Sequence, residues 1–367
     1  MSKLQALNLE SVKNENGIIY LSFPFVAGTV AASVAAVPFA GALCCSVAVT
    51  ALLIYCLISR RSCFAALCLL YFFLGAICWC NAALCPPETA HLRTKPIADA
   101  LEAILNRIPF AGEHSGAVIK ALLTGRRDEL PHDTVAAFRR SGASHILALS
   151  GLHLGVIYAF LRRLLKPLGN SPLARGAGSF LTIAVCWLYA SATGASASII
   201  RAFLFICINE VGRALSGRRH SPLGTLCLAL TLQLCARPLL ISTAGFQLSY
   251  LAMLGITLLY PRLKEWYPDE RGGLLLKKVW NSAALSVSCQ VFTAPVVWWH
   301  FRSFPLFFLI TNLIALPLAE LVIIGAVASA ALEAIAGCPP MLSYICGKAV
   351  VVLESSLEII ASLSSSS

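Results

Sequence analysis

The feature that most constrains this chain is the repetition of long apolar runs between short polar loops. Residues 23–58 are apolar for longer than one membrane span requires, and residues 63–80 form another such run. A hydrocarbon core about 30 Å thick is crossed by roughly 20 apolar residues of helix. Only 12% of the residues are charged, whereas a soluble domain has about a quarter. The sequence therefore predicts an all-α fold, a polytopic transmembrane helical bundle.

The apolar runs predict about ten to eleven spans, together with amphipathic or re-entrant helices. The run at 23–58 is interrupted around Pro38–Gly41, which favours two helices, or one helix and a re-entrant element. Beyond the run at 63–80, further spans are predicted at 144–161, 178–197, 199–215, 222–236, 243–260, 280–299, 304–332 and 340–360.

Basic residues indicate the orientation of these spans. They gather at Arg60-Arg61 and in the loops 162–175, 213–219 and 262–278, which alternate with loops that carry few cations. Because Lys and Arg accumulate in cytoplasmic loops, these four segments are predicted inside and the polar segment 81–143 outside. The formal net charge of +11 is thus a sign of membrane insertion before it is a sign of nucleic-acid binding.

The 15 cysteines do not predict a metal centre or a cofactor site. Most of them lie inside apolar runs, where cysteine behaves as a small hydrophobic residue. The chain has no paired C-x-x-C ligand set of the kind that structural zinc requires. Cys80 and Cys85 lie near a membrane interface, and these two are the cysteines that we expect to be open to oxidation.

The segment Leu122–Val156 joins a polar region to an apolar helix. Gly125 is suited to end one helix, because glycine tolerates the left-handed conformation of a helix C-terminus. Pro131 is suited to open the next, and Gly142 is expected to end that one. The segment therefore predicts short helices that lead into a membrane span.

The apolar helix after this break carries the segment's polar groups. We predict one helix over the span 144–161. His145, Leu149 and His153 are spaced by four, so they share a face of any helix that includes all three. Ionisable residues at membrane depth usually face a bundle interior or a wet cavity. Ser150 and His153 leave two interpretations open: a buried hydrogen-bonded pair that fixes helix packing, or part of a translocation path.

Catalytic and metal-binding interpretations of this helix find no support in the sequence. His145 and His153 are too far apart along a helix to chelate one ion, and no third ligand is indicated. A serine hydrolase needs a carboxylate near its base, and the glycine positions of a G-x-S-x-G elbow are held by Ala148 and Leu152. No H-x-H-x-D-type cluster is present, so we expect neither a nuclease nor another enzyme activity.

Among the remaining polar residues, Arg201 leads to the most specific prediction. It follows the small-residue run Gly194–Ser198, where a broken helix is plausible if it lines a cavity. The side chain either snorkels towards a helix end, or faces a water-filled path in which its planar fork of donors suits phosphate. Further along the same helix, Glu210 and Arg213 predict a structural ion pair.

Two further pairs of polar residues lie in apolar helices. Gln247 and Ser249 are two apart, so a regular helix points them in different directions. Gln290 and Asn312 are isolated amides, each followed within five residues by a proline that frees a backbone carbonyl. Interhelical hydrogen bonding and the lining of a path both remain open for these residues.

Together these patterns resemble the competence domain of ComEC-type DNA-uptake channels. The resemblance extends over roughly residues 115–360. It is carried by Gly142, His145, Ile146, Leu147, Ser150, Gly151, Leu152, His153 and Gly155, then by Gly194–Ala202, then by Pro238 with Gly245–Tyr250, and finally by Gln290, Pro295, Asn312 and Pro317.

The resemblance implies a domain order along the chain. Residues 1–80 are expected to be N-terminal transmembrane helices, 81–114 a short outer linker, 115–360 the channel domain and 361–367 a tail. Many family members carry an OB-type domain and a β-lactamase-like domain, and the chain is expected to be a short form that lacks both.

The function implied is the import of single-stranded DNA across the bacterial cytoplasmic membrane during natural transformation. The lipid bilayer and separate competence proteins (a DNA receptor, a helicase or nuclease) are the implied partners, and a homo-oligomer is left open. No Walker motif is present, so the driving force must come from elsewhere. A secondary transporter of a small anionic solute or lipid, and a non-conducting competence scaffold, are the alternatives. The residues implied to line the path are Gly142, His145, Ser150, Gly151, His153, Arg201, Gln247, Ser249, Gln290 and Asn312.

Overall fold

A computed structural model describes residues 16–35, 38–59, 63–84, 95–169, 171–216, 221–267, 273–302 and 307–365. Throughout these ranges the regular structure is helical and no strand occurs, which confirms the all-α prediction. The polar N-terminal residues 1–15, the basic pair Arg60-Arg61 and the cysteine at Cys85 lie outside the described residues.

Three long helices form the N-terminal part of the chain: α1 (Asn16–Ala35), α2 (Phe39–Ile58) and α3 (Phe64–Leu84). Pro38 lies at the N-cap of α2 with an extended backbone, so the interruption in the first apolar run separates two helices. Of the two interpretations of that run, the two-helix one is confirmed.

Five short helices follow within the polar region and the segment after it. Gly125 adopts φ 79° immediately after the second of them, and Pro131 precedes the first residue of the third. Both predicted boundaries are confirmed. The five are α4 (Lys95–Arg107), α5 (Ser115–Thr124), α6 (His132–Arg140), α7 (Ser144–Leu147) and α8 (Gly151–Leu164).

The C-terminal half consists mainly of longer helices. One of its predicted spans, 222–236, coincides with a helix. Pro295 and Pro317 lie inside two others, as predicted. The helices are α9 (Pro172–Ala192), α10 (Ala197–Ser216), α11 (Pro222–Ala236), α12 (Ala244–Leu258), α13 (Tyr260–Glu265), α14 (Leu274–Phe301), α15 (Phe308–Ile335) and α16 (Pro340–Ser365), with 3₁₀ turns at Lys166–Leu168 and Pro238–Ser242.

Five helices within the described residues are long and apolar enough to cross a membrane, judged by length and composition. They are α1, α2, α3, α9 and α15. An apolar helix of about 20 residues matches the thickness of a hydrocarbon core, so these helices support a polytopic membrane protein. The predicted total of ten to eleven spans stays a prediction.

The chain packs as two compact units. The first unit comprises Met1–Ala90 and Cys207–Leu254, and the second comprises His91–Ile206 and Gly255–Ser367. The chain passes between them inside α10 and inside α12. The division along the sequence at residues 80, 114 and 360 is a separate prediction, and it stays one.

The first unit is held together by a close crossing of α1 and α3. Gly28 lies directly against the backbone carbonyl of Phe72, and Gly75 lies against that of Phe25. The Thr29 hydroxyl donates to the Phe25 carbonyl at 3.0 Å and lies 3.4 Å from the Gly75 carbonyl. Glycines at such a crossing let two helix backbones approach closely, which is how membrane helices gain packing energy.

The second unit contains the large apolar core that positions the candidate site. Val118, Leu122, Phe138, Ile323 and Leu353 belong to this cluster, which joins α4 to α8 with α15 and α16. Buried hydroxyls add specific links: one from Ser115 to the Gly347 carbonyl at 3.2 Å and one from Thr311 to the Ser141 carbonyl at 2.7 Å. The segment around Gly142 is thereby fixed against α15.

Candidate functional site

The predicted single helix over 144–161 is interrupted between Leu147 and Gly151, so that prediction is wrong. The first short helix ends at Leu147, and Ala148 has an extended backbone with φ −74° and ψ 128°. Ser150 is extended as well, with φ −116° and ψ 165°, and the next helix begins at Gly151. His145, Leu149 and His153 therefore do not stack on one helix face.

Local hydrogen bonds explain the interruption. The N–H of Leu152 donates to Ser150 Oγ at 3.3 Å, and the N–H of Ser150 donates to His153 Nδ1 at 3.1 Å. This reciprocal arrangement is a capping box, with histidine in the position usually held by Glu or Gln. Because serine satisfies otherwise unpaired N–H groups at a helix start, it favours a new N-terminus over a continued helix.

A carbonyl group at the end of the preceding helix, α7, also receives a hydrogen bond from a side chain. Arg127 Nη2 donates to the Leu147 carbonyl at 2.9 Å, at the point where the helical ladder stops. Gly142 has φ 80°, which confirms its predicted role as a break, and its carbonyl lies 3.1 Å from Nδ1 of the exposed His145. Sequence reasoning missed Arg127. Its only signal was its place in the charged turn before Pro131.

His153 is a buried structural group. It is 1% exposed, and its Nδ1 lies 3.1 Å from Ser150 Oγ. Since Nδ1 accepts the backbone N–H, a neutral ring carries its proton on Nε2, which is buried and has no hydrogen-bond partner among the described residues. The interpretation as a hydrogen-bonded pair with Ser150 is therefore confirmed. The role of this pair in a translocation path stays a prediction.

Arg201 lies against the N-terminus of α8. A Cβ placed on Gly151 would be 2.9 Å from Arg201 Nη2 and 3.1 Å from the Ala202 methyl group, so only glycine allows this approach. Arg201 is 8% exposed, which excludes the snorkelling interpretation and also the expectation that its head is open to water in this conformation. The segment Ser150–His153 is thus in direct contact with Arg201 and Ala202.

This contact places the guanidinium of Arg201 next to the partial positive charge of the α8 N-terminus. A helix N-terminus carries roughly half a positive charge, and cations are usually found at the opposite end. A guanidinium beside a helix N-terminus is an arrangement of two groups that each favour an anion. The Arg201 charge also acts on the thiol of Cys289 on α14, which places Gln290's helix near the same group.

The small-residue run before Arg201 is broken, as predicted. Gly194 has φ 79° and Ala195 has φ 50°, and these residues separate α9 from α10. Two consecutive left-handed residues cannot continue a right-handed helix. The break places the first turns of α10, with Ser198 and Arg201, beside Gly151.

The two predicted amides of the second unit each have a buried atom without a partner. Gln290 Nε2 and Asn312 Oδ1 make no hydrogen bond within the described part of the chain. Asn312 follows Thr311, whose hydroxyl binds the Ser141 carbonyl beside Gly142. The structure thus brings Asn312's helix to the Gly142 turn, and the roles of both amides in a path stay predictions.

The remaining predicted residues belong to the first unit. Gln247 Nε2 donates to the Ile241 carbonyl at 2.8 Å, within the turn that precedes its own helix, and Ser249 lies two residues further on. Glu210 is fully buried and lies 3.4 Å from Arg213, which confirms the structural ion pair. Among the described residues, no three His, Cys, Asp or Glu side chains form a group that could hold a metal ion.

Comparison with known proteins identifies the family. The family model described as "Competence protein" matches residues 122–367, most of the chain. The chain belongs to the competence protein family. The match includes both sides of the contact between Gly151 and Arg201, and Gln290 and Asn312 as well.

One curated relative matches this family member over part of its length. ComE operon protein 3 of Bacillus subtilis (strain 168) is 28% identical over 215 residues, which cover 58% of this chain and 26% of that protein. The chain thus aligns with about a quarter of that relative's length. No solved structure matches this competence protein.

Proposed function

We propose that this competence protein forms a channel that carries single-stranded DNA inward across the bacterial cytoplasmic membrane during natural transformation. The observation that supports this most is the contact between Gly151 and Arg201, which lies wholly inside the region that matches the family. It brings a guanidinium to a helix N-terminus, two groups that favour an anion.

A channel for a polyanion needs a favourable but weak site. A single arginine with a planar fork of donors can contact one phosphate and release it, whereas a cluster of cations would hold the strand. Because Arg201 is buried in this conformation, the proposal requires its guanidinium to become accessible when the strand passes.

Other proteins must supply the enzymatic steps. The sequence has no Walker motif and no nuclease-type metal cluster, so we assign strand degradation and the driving force to a separate helicase or nuclease. A DNA receptor outside the membrane is the third implied partner. The chain itself is proposed to be a non-enzymatic, multi-pass protein of the inner membrane.

Transformation of a strain that lacks the chromosomal copy tests the role of Arg201. A hydrogen bond to a charged group contributes about 1.5–3 kcal/mol, or roughly 10- to 100-fold in an equilibrium constant. We expect Arg201→Ala to lower transformation at least about tenfold and Arg201→Lys to rescue it only in part, since lysine lacks the planar fork. The control is Arg163→Ala, because Arg163 is exposed on α8.

Protein levels and a binding assay make this test decisive. Membrane insertion and abundance of Arg201→Ala should match those of the wild type, and the salt dependence of its binding to single strands should fall by about one phosphate contact. Normal transformation in Arg201→Ala would contradict the proposal. Saturable uptake of a small anion, with DNA uptake unaffected, would indicate the secondary transporter instead, and loss of transformation without any loss of strand binding would indicate a scaffold.

Cysteine labelling tests the proposed orientation. A labelled cysteine must be exposed, which rules out buried positions such as Ser115 in the predicted outer segment. We therefore place one cysteine at the exposed Glu113 in that segment and one at the exposed Lys166 in a predicted inner loop. In a cysteine-depleted background, an impermeant maleimide added to intact cells should modify Glu113→Cys and spare Lys166→Cys, because basic loops stay in the cytoplasm. The reverse pattern would refute the orientation.

A further inference from the structure

Two cysteines that are distant in sequence meet inside the first unit. Cys78 on α3 and Cys235 on α11 share a hydrogen bond between their thiols. Helix α3 packs against α11 and against the 3₁₀ turn Pro238–Ser242 that follows it, so the meeting is part of a helix–helix contact. Both thiols are free, Cys78 is half-buried and Cys235 is exposed.

Both cysteines lie towards the same end of their helices. Cys78 is six residues from the end of α3, about 9 Å along the axis, and Cys235 is one residue from the end of α11. Each helix begins after a basic segment, Arg60-Arg61 or the loop 213–219. If those segments are cytoplasmic, as the distribution of basic residues predicts, both thiols lie at the outer side of the membrane.

The outer compartment is where disulfides form and persist. We propose that Cys78 and Cys235 are joined by a disulfide that ties α3 to the end of α11. Sequence reasoning placed Cys80 and Cys85, and not Cys78, near the membrane interface, but Cys80 is buried beside Ala32 and Ala76 in a different contact.

The bond forms by thiol–disulfide exchange with an oxidoreductase of the outer compartment. The exposed Cys235 thiolate attacks the donor's disulfide, which forms a mixed disulfide and releases one donor thiol. The Cys78 thiolate then attacks the Cys235 sulfur and displaces the second donor thiol. Two protein thiols become one disulfide, the donor disulfide is reduced to two thiols, and the two protons pass to the donor.

The geometry favours this exchange in the order stated. Cys235 is the accessible partner, so it is the one that a protein donor can reach, whereas Cys78 is partly covered and already hydrogen-bonded to it. Closure exchanges the thiol hydrogen bond for a sulfur–sulfur bond of about 2.05 Å. The link would constrain α11 and the 3₁₀ turn against α3.

Peptide mapping of the wild-type chain tests the proposal directly. Cells are quenched with acid and treated with N-ethylmaleimide, and membranes are digested without reductant. We expect a cross-linked peptide that contains Cys78 and Cys235, and its loss after dithiothreitol, with both residues then open to alkylation. Cells that lack the outer oxidoreductase should yield the two peptides alkylated and unlinked.

Variants provide a second readout. Cys235→Ser should abolish the cross-link and leave Cys78 alkylated, whereas the control Cys80→Ser should leave the cross-link intact. Because the wild-type digest does not depend on any variant, a folding failure of Cys235→Ser does not affect the conclusion. Maleimide on both wild-type thiols before reduction, or a cross-link of Cys78 to another cysteine, would overturn the proposal. So would a cross-link that forms only when a copper catalyst is added.

Discussion

Glycine allows a close approach of two helices at two places in this protein, with different physical consequences. In the first unit, Gly28 and Gly75 bring the backbones of α1 and α3 together with no charged group at the crossing points. In the second unit, Gly151 brings the N-terminus of α8 against the guanidinium of Arg201. The first contact gains packing energy, whereas the second places like charges side by side.

The difference separates a contact that stabilises the fold from one that we propose to carry function. A cation beside a helix N-terminus is electrostatically unfavourable, and such violations of local preference are expected at functional sites. The crossing of α1 and α3 contains no such conflict. Substitutions at the two glycines should therefore affect different properties of the protein.

The largest effect is expected for Gly28→Ala. Its Cβ would collide with the Phe72 carbonyl, which is backbone and cannot rotate away, so α1 and α3 must move apart. We expect a loss of stability at or above the upper end of the about 1–3 kcal/mol that overpacking costs. Thermal unfolding in detergent micelles measures it.

Gly116→Ala is the matched control for that substitution. Gly116 is also helical, but nothing lies within 4 Å of its added Cβ. Alanine should be neutral there or stabilising by up to about 1 kcal/mol, because it is the better helix former. Equal melting temperatures for Gly28→Ala and the wild type would contradict the packing of α1 on α3.

A smaller effect is expected for Ser150→Ala. The substitution removes the acceptor of the Leu152 N–H and the contact with His153 Nδ1, so α8 loses most of its cap. Loss of an N-cap costs about 0.5–2 kcal/mol, and this one should lie near the top of that range. Ser171→Ala removes a simpler cap, with one bond from the Ala174 N–H at 3.2 Å, and should cost less.

Chemical denaturation of both variants gives that comparison. If Ser171→Ala lowers the free energy of unfolding as much as Ser150→Ala does, the reciprocal bonding with His153 adds no stability.

His153→Ala gives further information on the same cap. Since His153 is buried and part of the cap, we expect it to lower the yield of folded protein as well as DNA uptake.

Much of the fold could be predicted because apolarity and helix-breaking residues act locally. The two-helix interpretation of residues 23–58, the span at 222–236 and the breaks at Gly125 and Gly142 all follow from side-chain chemistry within a few residues. The long apolar helices need no partner to be recognised, since their length alone matches a bilayer.

The site was less predictable because it depends on particular hydrogen bonds and on distant contacts. The cap at Ser150 lies inside an apolar pattern that continues through it, so hydrophobic periodicity indicated one helix where there are two. The bond from Arg127 to Leu147 and the approach of Arg201 to Gly151 join residues far apart in the sequence. Of the residues in these two contacts, Arg201 was identified from its charge in an apolar run and Gly151 from the family resemblance.

Gly151→Ala tests the central claim most directly, because it moves the Arg201 head without removing its charge. The added Cβ would lie 2.9 Å from the flexible end of that side chain, which can shift while the helices stay folded. We measure uptake of labelled DNA in a deletion strain that carries Gly151→Ala or the control Gly176→Ala, whose Cβ would have open space. The proposal predicts folded protein in both strains, with uptake reduced at least about tenfold for Gly151→Ala alone, as for the loss of one charge-assisted hydrogen bond. Equal uptake in the two strains, with Arg201 shown to be displaced, would contradict it.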